Sequence, residues 1–233
     1  QALIVNPDFE KVYYELALTQ INLDQAGEAL KTLENAGARF PNSFDVEFFT
    51  GLALSRMKNY AEAQKHYTAA EMIGNASHSK RLNYLFYFQL GATCERNRDY
   101  TQAEKYFEKC LELAPDFSEG LNYLGFMWAE RGVNLEKARR LIEKAVKLEP
   151  QNAAYIDSLG WVLFKLNQNE QALKYLLKAV ELSDKPDASV YDHVGDVYRA
   201  LNQKAKARAA WQKSLSLEPS EEIQKKLQTN STL

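Results

Sequence analysis

Histidine, cysteine and carboxylate side chains are where chemistry would have to reside in this 233-residue chain, and few of them are placed to share a task. His193 lies between Asp192 and Asp196, so a single helical turn would offer a metal one imidazole and two carboxylates. The same carboxylates also read as the acidic lining of a binding surface, which is the simpler role, and no metal is expected. His66 and His78 have no convergent partner in the sequence. Cys94 and Cys110 are too few to staple a fold with disulfides and read as buried thiols. The sequence contains no phosphate-cradling glycine loop, no His-Glu-x-x-His and no nucleophile elbow. These observations point to a non-enzyme that needs no cofactor.

Composition narrows the classes further. Apolar residues make up 45% and charged residues 26%, enough of the former for a core, which argues against a disordered or fibrous chain. No window approaches roughly 18 uncharged apolar residues, so no membrane span is expected. Basic and acidic residues nearly balance at a net charge of −2, without the excess that a nucleic-acid surface would need.

The elements that must position any site follow from a repeat. The six prolines, Pro7, Pro41, Pro115, Pro150, Pro186 and Pro219, are spaced 34, 74, 35, 36 and 33 apart. One interval is double, so one proline is missing from a regular series. Gly51, Gly91, Gly125, Gly160 and Gly195 keep the same period, as do Ala29, Ala63, Ala103, Ala138, Ala172 and Ala207. With the glycine at position 8, the repeats run 10–43, 44–83, 84–117, 118–152, 153–187 and 188–221. In the last, Tyr191, Val194, Gly195 and Tyr198 form one helical stripe and Ala207, Trp211 and Ser214 a second. A break at Asn202 separates them and Pro219 closes the unit. Each repeat therefore reads as a hairpin of helix A and helix B, with the glycine and alanine letting the two backbones come close.

Repeat 2 is six residues longer and lacks its proline, which predicts a longer connection and a longer helix A in repeat 3. Repeat 4 carries one extra residue near Gly132 and Val133, in its A–B turn. Residues 1–9 read as the end of an upstream helix B, making the chain a fragment of a longer protein. Residues 222–233 read as a capping helix, with Ser220 as N-cap and Ile223 and Leu227 on one face, followed by a polar tail.

Leu or Val before Gly at 7–8, Tyr or Leu at 11, Ala at 20, an aromatic at 24, Ala at 27 and Pro at 32 resemble the tetratricopeptide repeat, over residues 10–221. Stretches such as YIDSLGWVLFKL and YDHVGDVYRALNQKAKARAAWQKSL also look like the C-terminal part of long bacterial proteins of this family, some of them exported lipoprotein adaptors. The resemblance implies an all-α, right-handed superhelical solenoid of tandem helix-turn-helix repeats. It also implies that positions 2, 5, 9 and 12 of helix A line a concave groove for a peptide, helix or partner protein.

Reading those positions off gives the candidate groove: Tyr14, Phe48, Leu52, Phe88, Asn122, Phe126, Asp157, Trp161, Phe164, Asp192, Asp196 and Arg199. Six of these are large aromatics, together more apolar surface than a soluble chain ordinarily exposes. The groove turns acidic at Asp157, Asp192 and Asp196, which predicts an apolar ligand with a basic part over those carboxylates. The family's clamp for acidic chaperone tails is not matched, because its lysine, asparagine and arginine positions hold Tyr14, Leu18, Phe49, Leu85 and Gln89. The leading expectation is a non-catalytic scaffold that binds protein or peptide. A recruiting arm of an enzyme encoded upstream, or a self-association module, are the alternatives. Nucleic acid is not an expected partner, and either an exported or a cytoplasmic location fits.

Overall fold

The computed structural model describes residues 9–229. The expected upstream helix end therefore lies, apart from Phe9, outside the described residues, as does the tail from 230 on.

The described residues form thirteen α-helices and no strand. In chain order they are α1 (Glu10–Asn22), α2 (Ala26–Arg39), α3 (Phe44–Arg56), α4 (Tyr60–Ala76), α5 (Tyr84–Arg96), α6 (Tyr100–Leu113), α7 (Ser118–Glu130), α8 (Leu135–Leu148), α9 (Ala153–Lys165), α10 (Asn169–Leu182), α11 (Ala188–Ala200), α12 (Lys204–Leu217) and α13 (Glu221–Thr229). Local chemistry starts several of them. Ser43, Asn83, Asp99, Asn152 and Asp187 each accept a backbone N–H of the first helical turn. Helix A then stops at a three-residue turn whose middle residue is left-handed: Asp24, Lys58, Arg98, Asn167 and Asn202, all with φ near 60°. Asn and Asp tolerate that region better than most side chains. The turn between α7 and α8 is longer by one residue and uses Gly132 at φ +66° and Asn134 at φ 50°.

Two compact units divide the chain at Pro115. In the first, the hairpins α1–α2, α3–α4 and α5–α6 stack, with α3 against both α1 and α2 and α5 against α4. Ala17, Ile21, Ala29, Leu33 and Ala53 form one buried cluster there. The second unit stacks α7–α8, α9–α10 and α11–α12 in the same way, and α13 covers α12. Ile223 of α13 closes on Ala207 and Trp211.

The small residue of helix A has a packing cause. A Cβ built on Gly195 would stand 2.4 Å from the Trp211 ring, and one on Gly91 would stand 2.9 Å from Phe107. Neither gap admits a methyl group without repacking. One expectation is corrected. The connection is longer as expected, spanning residues 77–83, but helix A of the third hairpin is the usual 13 residues, whereas the preceding helix B, α4, is extended to 17. Without a proline near residue 75, nothing stops that helix at its usual place.

Candidate partner-binding face

The first unit presents Tyr14, Phe48, Leu52 and Phe88 from successive A helices. Tyr14 lies parallel to Phe49, with ring centroids 5.5 Å apart. Phe48 belongs to an aromatic cluster, 6.0 Å from Phe44, 5.6 Å from Tyr67 and 6.0 Å from Phe86. Phe88 is buried and packs 5.9 Å from Phe107. Tyr14, Phe48 and Leu52 are half-buried, so one flank of each reaches solvent. Asp45, next to this row, is buried and salt-bridged to Arg81. Burial raises the Asp45 carboxyl above its ordinary range, and the Arg81 guanidinium works against that rise.

The second unit brings Phe126, Asp157, Trp161 and Phe164 together around a residue outside the predicted list. His193 Nδ1 meets Asp157 Oδ1 at 2.9 Å, and its ring stacks on Trp161 at 4.1 Å with 19° between planes. Phe164 is 5.2 Å from Trp161, and Phe126 is 6.4 Å from His193. Trp161 Nε1 donates to Glu130, and the Lys165 ammonium sits 4.5 Å from the Trp161 ring centroid. Trp161, Asp157 and His193 are buried, whereas Asn122, Phe126, Phe164 and Arg199 are half-buried. Burial alone would hold His193 neutral, but the hydrogen bond and charge of Asp157 outweigh it and raise the imidazole pKa.

This arrangement changes the expected picture in two places. The aromatic row is not an exposed stripe. Phe88 and Trp161 fill space between neighbouring helices, and the other four keep one open flank each. The acidic end is also already engaged. Lys226 of α13 reaches Asp192 at 2.8 Å and Asp196 at 2.9 Å, and Trp211 Nε1 donates to Asp196 at 3.1 Å. A basic part of a ligand would have to displace that ammonium. The carboxylates turn to Lys226 while His193 turns to Asp157, and no group of three or more His, Cys, Asp or Glu among the described residues could hold a metal.

Sequence reasoning missed His193, Glu130, Arg81 and Lys226 as organising residues. His66 also has a partner it was not expected to have, Glu47 at 2.7 Å. A usable signal was present in the register. Asp157 and His193 lie 36 residues apart, one repeat plus one, which places them on facing turns of adjacent A helices. Cys94 and Cys110 are both buried and unbridged. They do not line the face.

Hairpins stacked in this manner define an all-α helical-repeat protein. Models of the tetratricopeptide repeat match residues 11–43, 84–117, 153–186 and 188–221, more than half of the chain. The chain belongs to the tetratricopeptide-repeat family, a fold that commonly mediates protein–protein interaction. Solved structures share the architecture at low identity. A chain of the APC/C hetero-tetramer Cut9–Hcn1 is 19% identical with a TM-score of 0.79, over 98% of this chain and 44% of that one. The present chain thus spans less than half of that relative. PilF of Pseudomonas aeruginosa is 16% identical with a TM-score of 0.72, over 94% of this chain and 96% of that one. YrrB, described as a tetratricopeptide-repeat protein with an unusual peptide-binding site, is 20% identical with a TM-score of 0.66, over 88% and 96% of the two chains. No curated protein matches. No helix among the described residues is long and apolar enough to cross a membrane.

Proposed function

We propose that the chain is a non-catalytic scaffold whose A-helix faces bind a peptide or helix of a partner protein. The observation that carries this reading is the recurrence of half-buried apolar side chains with one open flank at positions 5, 9 and 12 of several A helices. These are Tyr14, Phe48 and Leu52 in the first unit, and Phe126 and Phe164 in the second. Asn122, one turn before Phe126 on α7, and Arg199 on α11 add half-buried polar groups in the second unit. Such a surface offers apolar anchors held rigid by their neighbours, with polar groups to set register. The peptide-binding description of YrrB, which shares this fold, supports the same class of role.

Capture experiments distinguish the readings. The wild-type chain and a Phe126→Glu/Phe164→Glu variant are used as bait, and any species lost from the variant is purified and titrated against both. The reading requires the variant to weaken binding by about tenfold or more while its helical circular dichroism is retained. Equal binding to both baits would refute it. A second copy of the chain as the lost species would assign the face to self-association instead.

A further inference from the structure

A pocket of about 300 Å³ opens in the first unit between α3 and α5, on the same A-helix register. Its walls include Leu52, Ser55, Arg56, Gln89, Thr93 and Arg96. The hydroxyls of Ser55 and Thr93 are 3.1 Å apart, and Thr93 is buried. Arg56 and Arg96 are exposed and are the last residues of α3 and α5. A cation at a helix C-terminus is favoured by the backbone dipole, which accounts for one arginine on each helix. Stacking in register brings the two helix ends to one pocket, with hydroxyls and a carboxamide beside them. Glu95 offsets part of the charge, 3.2 Å from Arg96 Nε. No acidic side chain pairs with Arg56 among the described residues.

The pocket is therefore lined by guanidinium, hydroxyl and carboxamide groups, and its volume suits a small group rather than a folded partner. Guanidinium forks match the planar carboxylate and the tetrahedral phosphate better than any neutral group, and hydroxyls donate to either. We infer that this pocket binds the oxyanion of an acidic or phosphorylated side chain in a peptide laid along α3 and α5. The inference rests on the partner-binding reading for the peptide, but the anion site is tested with no partner present.

The test is a titration of the whole ¹⁵N-labelled chain with sodium acetate and, separately, sodium phosphate at pH 7. Sodium chloride holds ionic strength constant, and the arginine Nε–Hε resonances are followed. Arg56 and Arg96 shift saturably, and Arg140, exposed on α8, does not. The tighter of the two anions assigns the side chain as acidic or phosphorylated. Arg56→Gln/Arg96→Gln weakens the response of the Ser55 and Thr93 amides about tenfold, whereas Arg140→Gln leaves it unchanged. Shifts at Arg56 and Arg96 that are linear and no larger than those at Arg140 overturn the site, and the wild-type titration alone decides this if the double variant fails to fold. Loss of the anion response with Phe126-dependent capture intact would remove the pocket and leave the scaffold reading standing. A saturable anion response with capture insensitive to Phe126 and Phe164 would do the reverse.

Discussion

His193 shows how much one side chain can set at the residue scale. Its pKa lies above the ordinary 6.5 because the buried ring is held by Asp157. The second unit is therefore stabilised where the imidazole is charged. That contribution is complete below about pH 6.5 and declines as pH rises through the raised value. Trp128, Trp161 and Trp211 all belong to this unit, so tryptophan fluorescence in urea reads it separately from the first. The urea midpoint is expected to fall as pH rises from 6 to 8, and Asp157→Asn is expected to flatten the profile. A flat wild-type profile would contradict the assignment. Cys94 offers a second check. Burial first, then the charges of Asp99 and Glu71, push its thiol up to about 12. Thiol reagents should label the native chain slowly and the urea-unfolded chain rapidly.

At the scale of the helices, the glycines divide into two kinds. A Cβ on Gly195 would meet Trp211 at 2.4 Å, whereas one on Gly27 would meet nothing within 4 Å. Gly195→Ala is expected to cost about 1–3 kcal/mol from overpacking. Gly27→Ala, inside α2, should stabilise by roughly 0.5–1 kcal/mol through helix propensity alone. Urea unfolding of the two variants checks both signs. The period of prolines, glycines and alanines was sufficient to find the hairpins, because each marks a stop or a close approach that only those residues allow. It misplaced the helical part of the extension of repeat 2, while finding the longer connection, because a helix without a stop signal runs on and a spacing cannot say which neighbouring helix gains the residues. The face was partly readable for a related reason. The register names which side chains point away from helix B, but whether they stay open depends on the next hairpin's rotamers. Trp161 was thus read as a groove residue without the His193 ring that stacks on it.

The two compact units can be treated as separate carriers of the A-helix face, and the last helix completes one of them. Lys226 on α13 neutralises Asp192 and Asp196, which no local pattern around those aspartates reveals, since the partner lies 34 and 30 residues away. Lys226→Met is expected to destabilise the second unit by about 1–3 kcal/mol by leaving two partly buried carboxylates without their cation. The first unit should keep its own unfolding transition.

Site-directed photo-crosslinking tests the assignment of function to the A-helix faces most directly. A benzophenone side chain is placed in turn at Leu52, Phe126 and Phe164, and at Met72 and Leu177, which are exposed on B helices. Specific protein adducts are expected from positions 52, 126 and 164 and not from 72 or 177. Adducts confined to 72 and 177 would contradict the assignment and move the interaction to the opposite side of the hairpins.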